Sequence, residues 1–150
     1  MGYIRLDKIK ATAHLESIVA TVDMGNGIFA KLGDLHEEGE AREVAPMVDG
    51  DVDIVLVASV PTQYRDDEVE KDFVLKAGKF GRGYVMETGN EVSFSEDLVT
   101  GVVTDGAFVK VTGTGVEIVT LRPTDALHGV VLGQEEDVNV GTLTLIRFTA

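Results

Sequence analysis

Short β-branched segments divided by turn-forming residues constrain this chain more than any other feature. After Val99 they recur at about 8–12-residue spacing, a pattern typical of an all-β barrel or sandwich. Four sets of linker residues separate them: Thr-Asp-Gly, Thr-Gly-Thr-Gly, Arg-Pro-Thr-Asp, and Gln134 to Asp137. The expected strands are 101–103, 107–111, 116–120, 127–132 and 142–148. The sequence therefore predicts a mainly β fold, a small β-barrel or β-sandwich of short antiparallel strands with at most one short helix.

The first half of the chain continues this pattern. Residues 15–24 and 28–32 have strand composition and flank Gly25-Asn-Gly27, so we expect them to form a hairpin. A short strand is expected at 42–44, before Pro46. The most continuous apolar run, 53–60, predicts a strand that is buried on both faces and lies at the centre of the core.

A second hairpin is predicted in the glycine-rich stretch from Gly78 to Val99. Residues 84–87 and 91–94 flank Thr88-Gly-Asn90, and glycine and asparagine supply the positive φ of a tight turn. Upstream, the segment 64–74 alone has helical character, and a short helix or a structured loop would fit it equally.

The chain length fits one domain or two very small ones. We expect an N-terminal arm at 1–14, which is locally basic, followed by a β domain at 15–150. The first interpretation of this segment is a frayed or edge-paired terminus, and the alternative is an arm that contacts an acidic partner surface. If the β domain is divided into two parts, the best candidate for the boundary is 99–105.

Charge and composition exclude several classes of function. The formal net charge of the 150-residue chain is −13, which disfavours binding to nucleic-acid phosphates and to anionic membranes. The absence of cysteine excludes disulfides, thiolate metal sites and cysteine nucleophiles. No signal peptide and no apolar run of membrane-spanning length are visible, which predicts a protein made in the cytoplasm.

Catalytic and cofactor patterns are weak. The histidines His14, His36 and His128 are widely separated in sequence, and none of the serines has a Gly-x-Ser-x-Gly context. The alternating aspartates in 49–53 lack the glycine and glutamate of an EF-hand calcium loop. The glycines in 78–83 are not followed by the Lys-Ser or Lys-Thr of a phosphate loop. We therefore expect no enzyme activity, no metal and no cofactor.

Ordered stretches of the chain resemble a known class of virus protein. The first two are ESIVATVDMGNGIFAKLGDL in 15–35 and IVLVASVPTQY in 54–64. The third, 72–98, contains Asp72-Phe73, Ala77-Gly78, Arg82, Tyr84 and the Gly89 turn into VSFSEDL, and the fourth is VVLGQEEDVNVGTLTLIRF near the C-terminus. In this order they are similar to capsid-associated proteins, namely decoration or head-fibre-base proteins, of tailed phages of Gram-positive hosts. These motifs are structural and carry no active-site residues.

The resemblance implies a non-enzymatic virion protein that binds the outer face of a capsid and decorates or cements it. Its partner would be the major capsid protein, with self-association, a trimer for example, as an addition. The alternative is a homo-oligomeric β-barrel module that binds a small ligand or a host surface; a hydrolytic enzyme is a third and weaker reading. The N-terminal arm is the leading candidate for the contact, and aromatic and arginine side chains, which dominate interface energetics, supply the further candidates. The expected contact residues are four in the arm and four further along the chain: Tyr3, Arg5, Lys8, Lys10, Tyr64, Phe80, Arg82 and Tyr84.

Overall fold

The computed structural model describes residues 4–8, 15–35, 41–48, 51, 53–58, 74–123, 127–138 and 141–149. The fold is mainly β, as the sequence predicts. The strands are β1 Ile4–Lys8, β2 Leu15–Ala20, β3 Met24–Gly25, β4 Phe29–Leu35, β5 Arg42–Pro46, β6 Ile54–Val57, β7 Val74–Leu75, β8 Phe80–Tyr84, β9 Glu91–Ser95, β10 Val99–Thr100, β11 Phe108–Thr112, β12 Gly115–Val119, β13 His128–Asp137 and β14 Gly141–Thr149. A 3₁₀ turn, Glu96–Leu98, follows β9.

Five strands close into a barrel in the order β2-β5-β4-β6-β8. The pair β2–β5 is parallel, and the other neighbours are antiparallel. A closed ring with an odd number of strands requires this, because strand direction cannot alternate all the way round an odd ring. The expectation of antiparallel pairing thus holds for most of the barrel and fails at the pair that closes it.

The second half of the chain forms a seven-stranded sheet with the order β1-β9-β14-β13-β11-β12-β10. The first strand of the chain, β1, lies at one edge, where Ile4 is opposite Phe94 of β9. At the other edge β10 pairs in parallel with β12. The C-terminal strand β14 lies between β9 and β13, so the prediction that the last strand is held in a sheet is confirmed.

The strand β6 is buried on both faces, as its apolar run predicts. Successive side chains of a strand point to opposite sides. Val55 and Val57 pack inside the barrel with Ile18 and Val44, whereas Leu56 points outward into a larger cluster. The expected strand at 53–60 is therefore confirmed for Ile54–Val57, and residues 59 and 60 lie outside the described part.

The larger cluster, here called the shared core, joins the barrel to the sheet. Its centre is a contact among Phe29 of the barrel and Phe94 and Phe148 of the sheet, with ring centroids 5.9–6.4 Å apart. All three rings are fully buried. Each such pair contributes about 0.5–1.5 kcal/mol beyond the burial of its area. Barrel and sheet therefore share one core instead of folding as separate layers.

The predicted hairpin at 84–94 is wrong, although its turn is correct. Gly89 has a φ of 97°, and the Asn90 N–H donates to the Glu87 carbonyl at 3.1 Å. However, β8 pairs with β2 and β6, while β9 pairs with β1 and β14. The turn carries the chain from the barrel to the sheet, because β8 already has a partner on each side in the barrel and β9 one on each side in the sheet.

The predicted hairpin around Gly25-Asn-Gly27 is also wrong. The strands β2 and β4 are not neighbours, because β5 lies between them in the barrel. The intervening β3 instead pairs with β7 in a two-stranded ribbon.

Other boundaries shift. The predicted linker Gln134–Asp137 is the end of the ten-residue β13. The strand expected at 101–103 is wrong, since the strand in this region is β10 at Val99–Thr100. The strand expected at 42–44 is confirmed and extends to Pro46. Residues 64–73 of the expected helix or loop lie outside the described residues, and Val74 belongs to β7.

The predicted domain boundary at 99–105 lies within the part of the chain that forms the sheet, whereas the chain leaves the barrel at 85–90. The division into domains stays a prediction.

We expect Phe29→Ala to destabilise the barrel and the sheet together, because this ring contacts Phe94 and Phe148 across the boundary. The free energy of unfolding should fall by about 3–5 kcal/mol. Urea unfolding measures the loss, and hydrogen exchange should rise in β4 and in β9 alike. Val102→Ala, at a side chain 83% exposed, is the control and should change stability by less than about 0.5 kcal/mol. Faster exchange confined to the barrel would contradict a shared core.

We expect Gly83→Ala to overpack the barrel. A Cβ at this position would lie 2.6 Å from Cγ2 of Val55, a stiff β-branched side chain. The cost should be about 1–3 kcal/mol in thermal or urea unfolding. Gly133→Ala is the matched control, since a Cβ there meets nothing within 4 Å. Equal stability of the two variants would show that the barrel interior yields more easily than its packing suggests.

Candidate interaction surface

One barrel strand, β8, places three of the expected contact residues on the outside of the barrel. Gly83 faces the interior against Val55, so the alternate positions Phe80, Arg82 and Tyr84 point outward. Small inward residues let the strand lie close to the barrel core, and larger residues remain on the surface. We call these three outward residues the β8 row.

Exposure along the β8 row falls from one end to the other. Phe80 is 55% exposed, while Arg82 and Tyr84 are half-buried. Tyr84 lies opposite Leu56 of β6 and packs against the shared core. Phe80 is therefore the accessible aromatic end, and Tyr84 anchors the row to the core.

The neighbouring strand β2 extends this surface. Val19 lies opposite Phe80 and is 3% exposed, whereas Ser17 lies opposite Arg82 and is exposed. On the other side of β2, Glu43 of β5 is in register with Val19 and is exposed. The exposed ring of Phe80 therefore lies over a buried valine and near polar groups, an arrangement that resembles the apolar centre and polar rim of a protein-binding patch.

The loop that leads into β8 is fixed by an aspartate. Oδ1 of Asp23 accepts the Ala77 N–H at 2.9 Å, and Nζ of Lys76 lies 3.5 Å from Oδ2. The Ala77 hydrogen bond, helped by the charge of Lys76, lowers the pKa of Asp23 below its ordinary value despite an opposing desolvation effect. Gly78 then donates to the Ala20 carbonyl at 2.7 Å. These bonds set where Phe80 begins the strand.

The N-terminal segment forms an edge strand over the part that the structure describes. The backbone of Arg5 is in register with Ser93, and that of Lys8 with Glu91. Ile4 and Leu6 pack against the shared core. The expected contact residues Tyr3, Lys10 and Tyr64 lie outside the described residues. The structure thus places the described candidates on two elements, β8 of the barrel and the β1 edge of the sheet.

A second surface was not anticipated from the sequence. Val109, Val131 and Ile146 point into the shared core, so their neighbours on the same strands point to the opposite side of the sheet. We call this side the outer face. It carries Phe108, Lys110, Glu117, Val119, Val130, His128 and Arg147. The alternation of 108–112 was the available signal, but it does not reveal which strands lie side by side.

Among the described residues, no three His, Asp or Glu side chains are arranged to hold a metal ion. Within the same residues, no helix is long and apolar enough to cross a membrane. Comparison of the chain with models of known protein families and with curated proteins finds no match. The interaction surfaces therefore have to be interpreted from their own geometry.

We expect Asp23→Ala to lower the thermal midpoint at neutral pH, because the Ala77 N–H loses its acceptor. Folding lowers the pKa of Asp23, so its contribution is fully present above the unfolded pKa of about 4. It is lost as the pH falls through the lower folded pKa. The difference between variant and wild type should therefore shrink in melting curves recorded at progressively more acid pH.

The exposed Asp105, in the loop before β11, provides the comparison as Asp105→Ala. Its effect should be smaller at neutral pH. A deficit of Asp23→Ala that persists unchanged at the most acid pH would argue that the carboxylate charge plays no part.

Proposed function

We propose that this chain is a non-enzymatic virion structural protein that binds the outer surface of a phage capsid and decorates or cements it. Its partner is the major capsid protein, it uses no cofactor, and its place is the capsid exterior. Support comes from the ordered stretches that resemble phage head-associated proteins and from a small β fold. The high negative charge suits dense repetition on a surface, because copies in solution repel each other.

The observation that carries the proposal is the accessible end of the β8 row. Phe80 is large, apolar and 55% exposed, and Arg82 follows it on the same face of a rigid barrel strand. Aromatic and arginine side chains supply most of the binding energy at typical interfaces. A barrel strand also holds them without the entropy cost of ordering a loop.

The N-terminal segment contributes at the second position, the edge of the sheet. Its basic residues Arg5, Lys8 and Lys10 complement acidic groups on a partner in a chain that is otherwise strongly acidic. Deleting residues 1–12 would be a poor test of this contact. It would remove β1, whose Ile4 and Leu6 pack on the shared core, and would therefore destabilise the fold as well.

The packed barrel disfavours the alternative of a small-ligand module. Fully buried side chains of Ile18, Val55 and Val57, with Ala20 and Ala30, occupy the barrel interior. A ligand would then have to bind outside the barrel. A host surface remains as a partner that would use the same outward row.

We expect the purified protein to co-sediment saturably with capsid shells stripped of it, at a fixed ratio to the shell subunit. Phe80→Ala should weaken this binding by about tenfold or more, because the exposed ring is lost from the interface. Co-sedimentation at low and at high salt measures how strongly the net charge of −13 affects binding to the shell.

Val102→Ala, which also truncates an exposed apolar side chain, should bind as the wild type does. Absence of wild-type binding at either salt would remove the capsid proposal. Undiminished binding of Phe80→Ala would keep the capsid proposal and exclude the β8 row as its contact.

A further inference from the structure

The outer face of the sheet carries a row of apolar side chains that lies outside the hydrophobic core. Val119, Phe108 and Val130 lie directly opposite one another on the neighbouring strands β12, β11 and β13. All three are half-buried, and none belongs to the shared core or to the cluster inside the barrel. The row continues across β14 to Arg147, so it ends in a charge.

The charges on the outer face are balanced locally, unlike those of the chain as a whole. Nζ of Lys110 lies 3.5 Å from Oε2 of Glu117, and Nη2 of Arg147 lies 3.2 Å from Oε2 of Glu91. Nε of Arg122 reaches the same face, 3.4 Å from Nε2 of His128. The three cations and two anions of these contacts sum to +1, and Glu135 and Asp137, which face the same side by alternation along β13, bring the outer face to −1, against −13 for the whole chain.

All basic residues of the second half of the chain contribute to this balance. After Gly83 the chain has only three lysines and arginines, namely Lys110, Arg122 and Arg147. All three contact groups on this face. A face this close to neutral meets its copy with little net repulsion, unlike a strongly acidic surface.

The end of β13 beyond Val131 is a poorer surface for a second copy. In the described residues, β11 is in register with His128–Val130, and the backbone of Gly106 and Ala107 bonds Val131, so Leu132–Asp137 have a strand partner only in β14. That end carries Glu135, Glu136 and Asp137. Two such edges placed side by side would oppose like charges, which is a common protection against edge-to-edge pairing.

We propose that the outer face is the self-association surface of this protein, and that its occupant is the outer face of a second copy. A two-fold arrangement brings the apolar rows of Val119, Phe108 and Val130 together. It also places Lys110 of each copy near Glu117 of the other, since the same patch is used twice. The barrel packs on the opposite side of the sheet, so this association leaves the β8 row accessible and does not depend on capsid binding.

The first test measures the mass of the full chain by sedimentation velocity and light scattering over a wide concentration range. The wild type should form a concentration-dependent dimer, and Phe108→Glu should raise its dissociation constant by about a hundredfold or more, since a charge replaces the central ring. Far-UV circular dichroism and the thermal midpoint establish that the variant is folded. Val102→Ala should dimerise as the wild type does.

A charge exchange keeps the test decisive even where Phe108→Glu fails to fold. Lys110→Glu alone gives a patch with two glutamates, and Glu117→Lys alone gives a patch with two lysines. Each variant should be monomeric by itself, and an equal mixture of the two should form a mixed dimer, because the opposite patches attract.

Three results would overturn the proposal. They are a wild type that stays monomeric up to its solubility limit, a dimer that Phe108→Glu leaves intact, and single charge variants that behave alike alone and mixed. A dimer that persists in both charge variants would assign self-association to another surface.

Discussion

The contact of three phenylalanine rings holds this molecule together. Phe29 reaches out of the barrel from β4, and Phe94 and Phe148 meet it from two adjacent strands of the sheet. The barrel and the sheet each have an apolar side that faces the other, and neither can bury that side alone. Leu56 and Met47 of the barrel complete the same cluster. The architecture therefore depends on one hydrophobic boundary to which both halves contribute fully buried side chains.

The sequence predicts the strands better than their partners. The apolar run of β6 predicts burial on both faces, because no polar residue interrupts Ile54–Val57. The Thr88-Gly89 turn is equally readable, since its positive φ requires glycine. Which strands pair cannot be predicted from the sequence, because a tight turn has the same local signature whether its flanking strands pair with each other or separate into different sheets. The partner of β9 is set by residues about 50 or more positions away, such as Ile146, through packing and not through any local propensity.

The candidate surfaces differ in the same way. Phe80, Arg82 and Tyr84 are expected contacts because aromatic and arginine side chains dominate interface energetics, and residue type is visible in the sequence. The apolar row of the outer face cannot be seen in the sequence, because Phe108, Val119 and Val130 become neighbours only through the order of β11, β12 and β13. Balanced charges are likewise a property of the folded sheet. Lys110 and Glu117, or Arg147 and Glu91, are ordinary surface residues until the strand registers bring them together.

The position of β1 has a consequence for the order in which the protein can form during synthesis. Ile4 pairs with Phe94, 90 residues later, whereas all five barrel strands lie between Leu15 and Tyr84. At about 5–20 residues per second, β1 leaves the ribosome some 5–18 s before its partner. The last barrel strand ends at Tyr84, so the barrel can close before β14 has been made, and Phe29 and Leu56 then face water until β9 and β14 arrive. The nascent chain therefore exposes an apolar surface and an unpaired strand at the same time, the two features that make folding intermediates prone to aggregate.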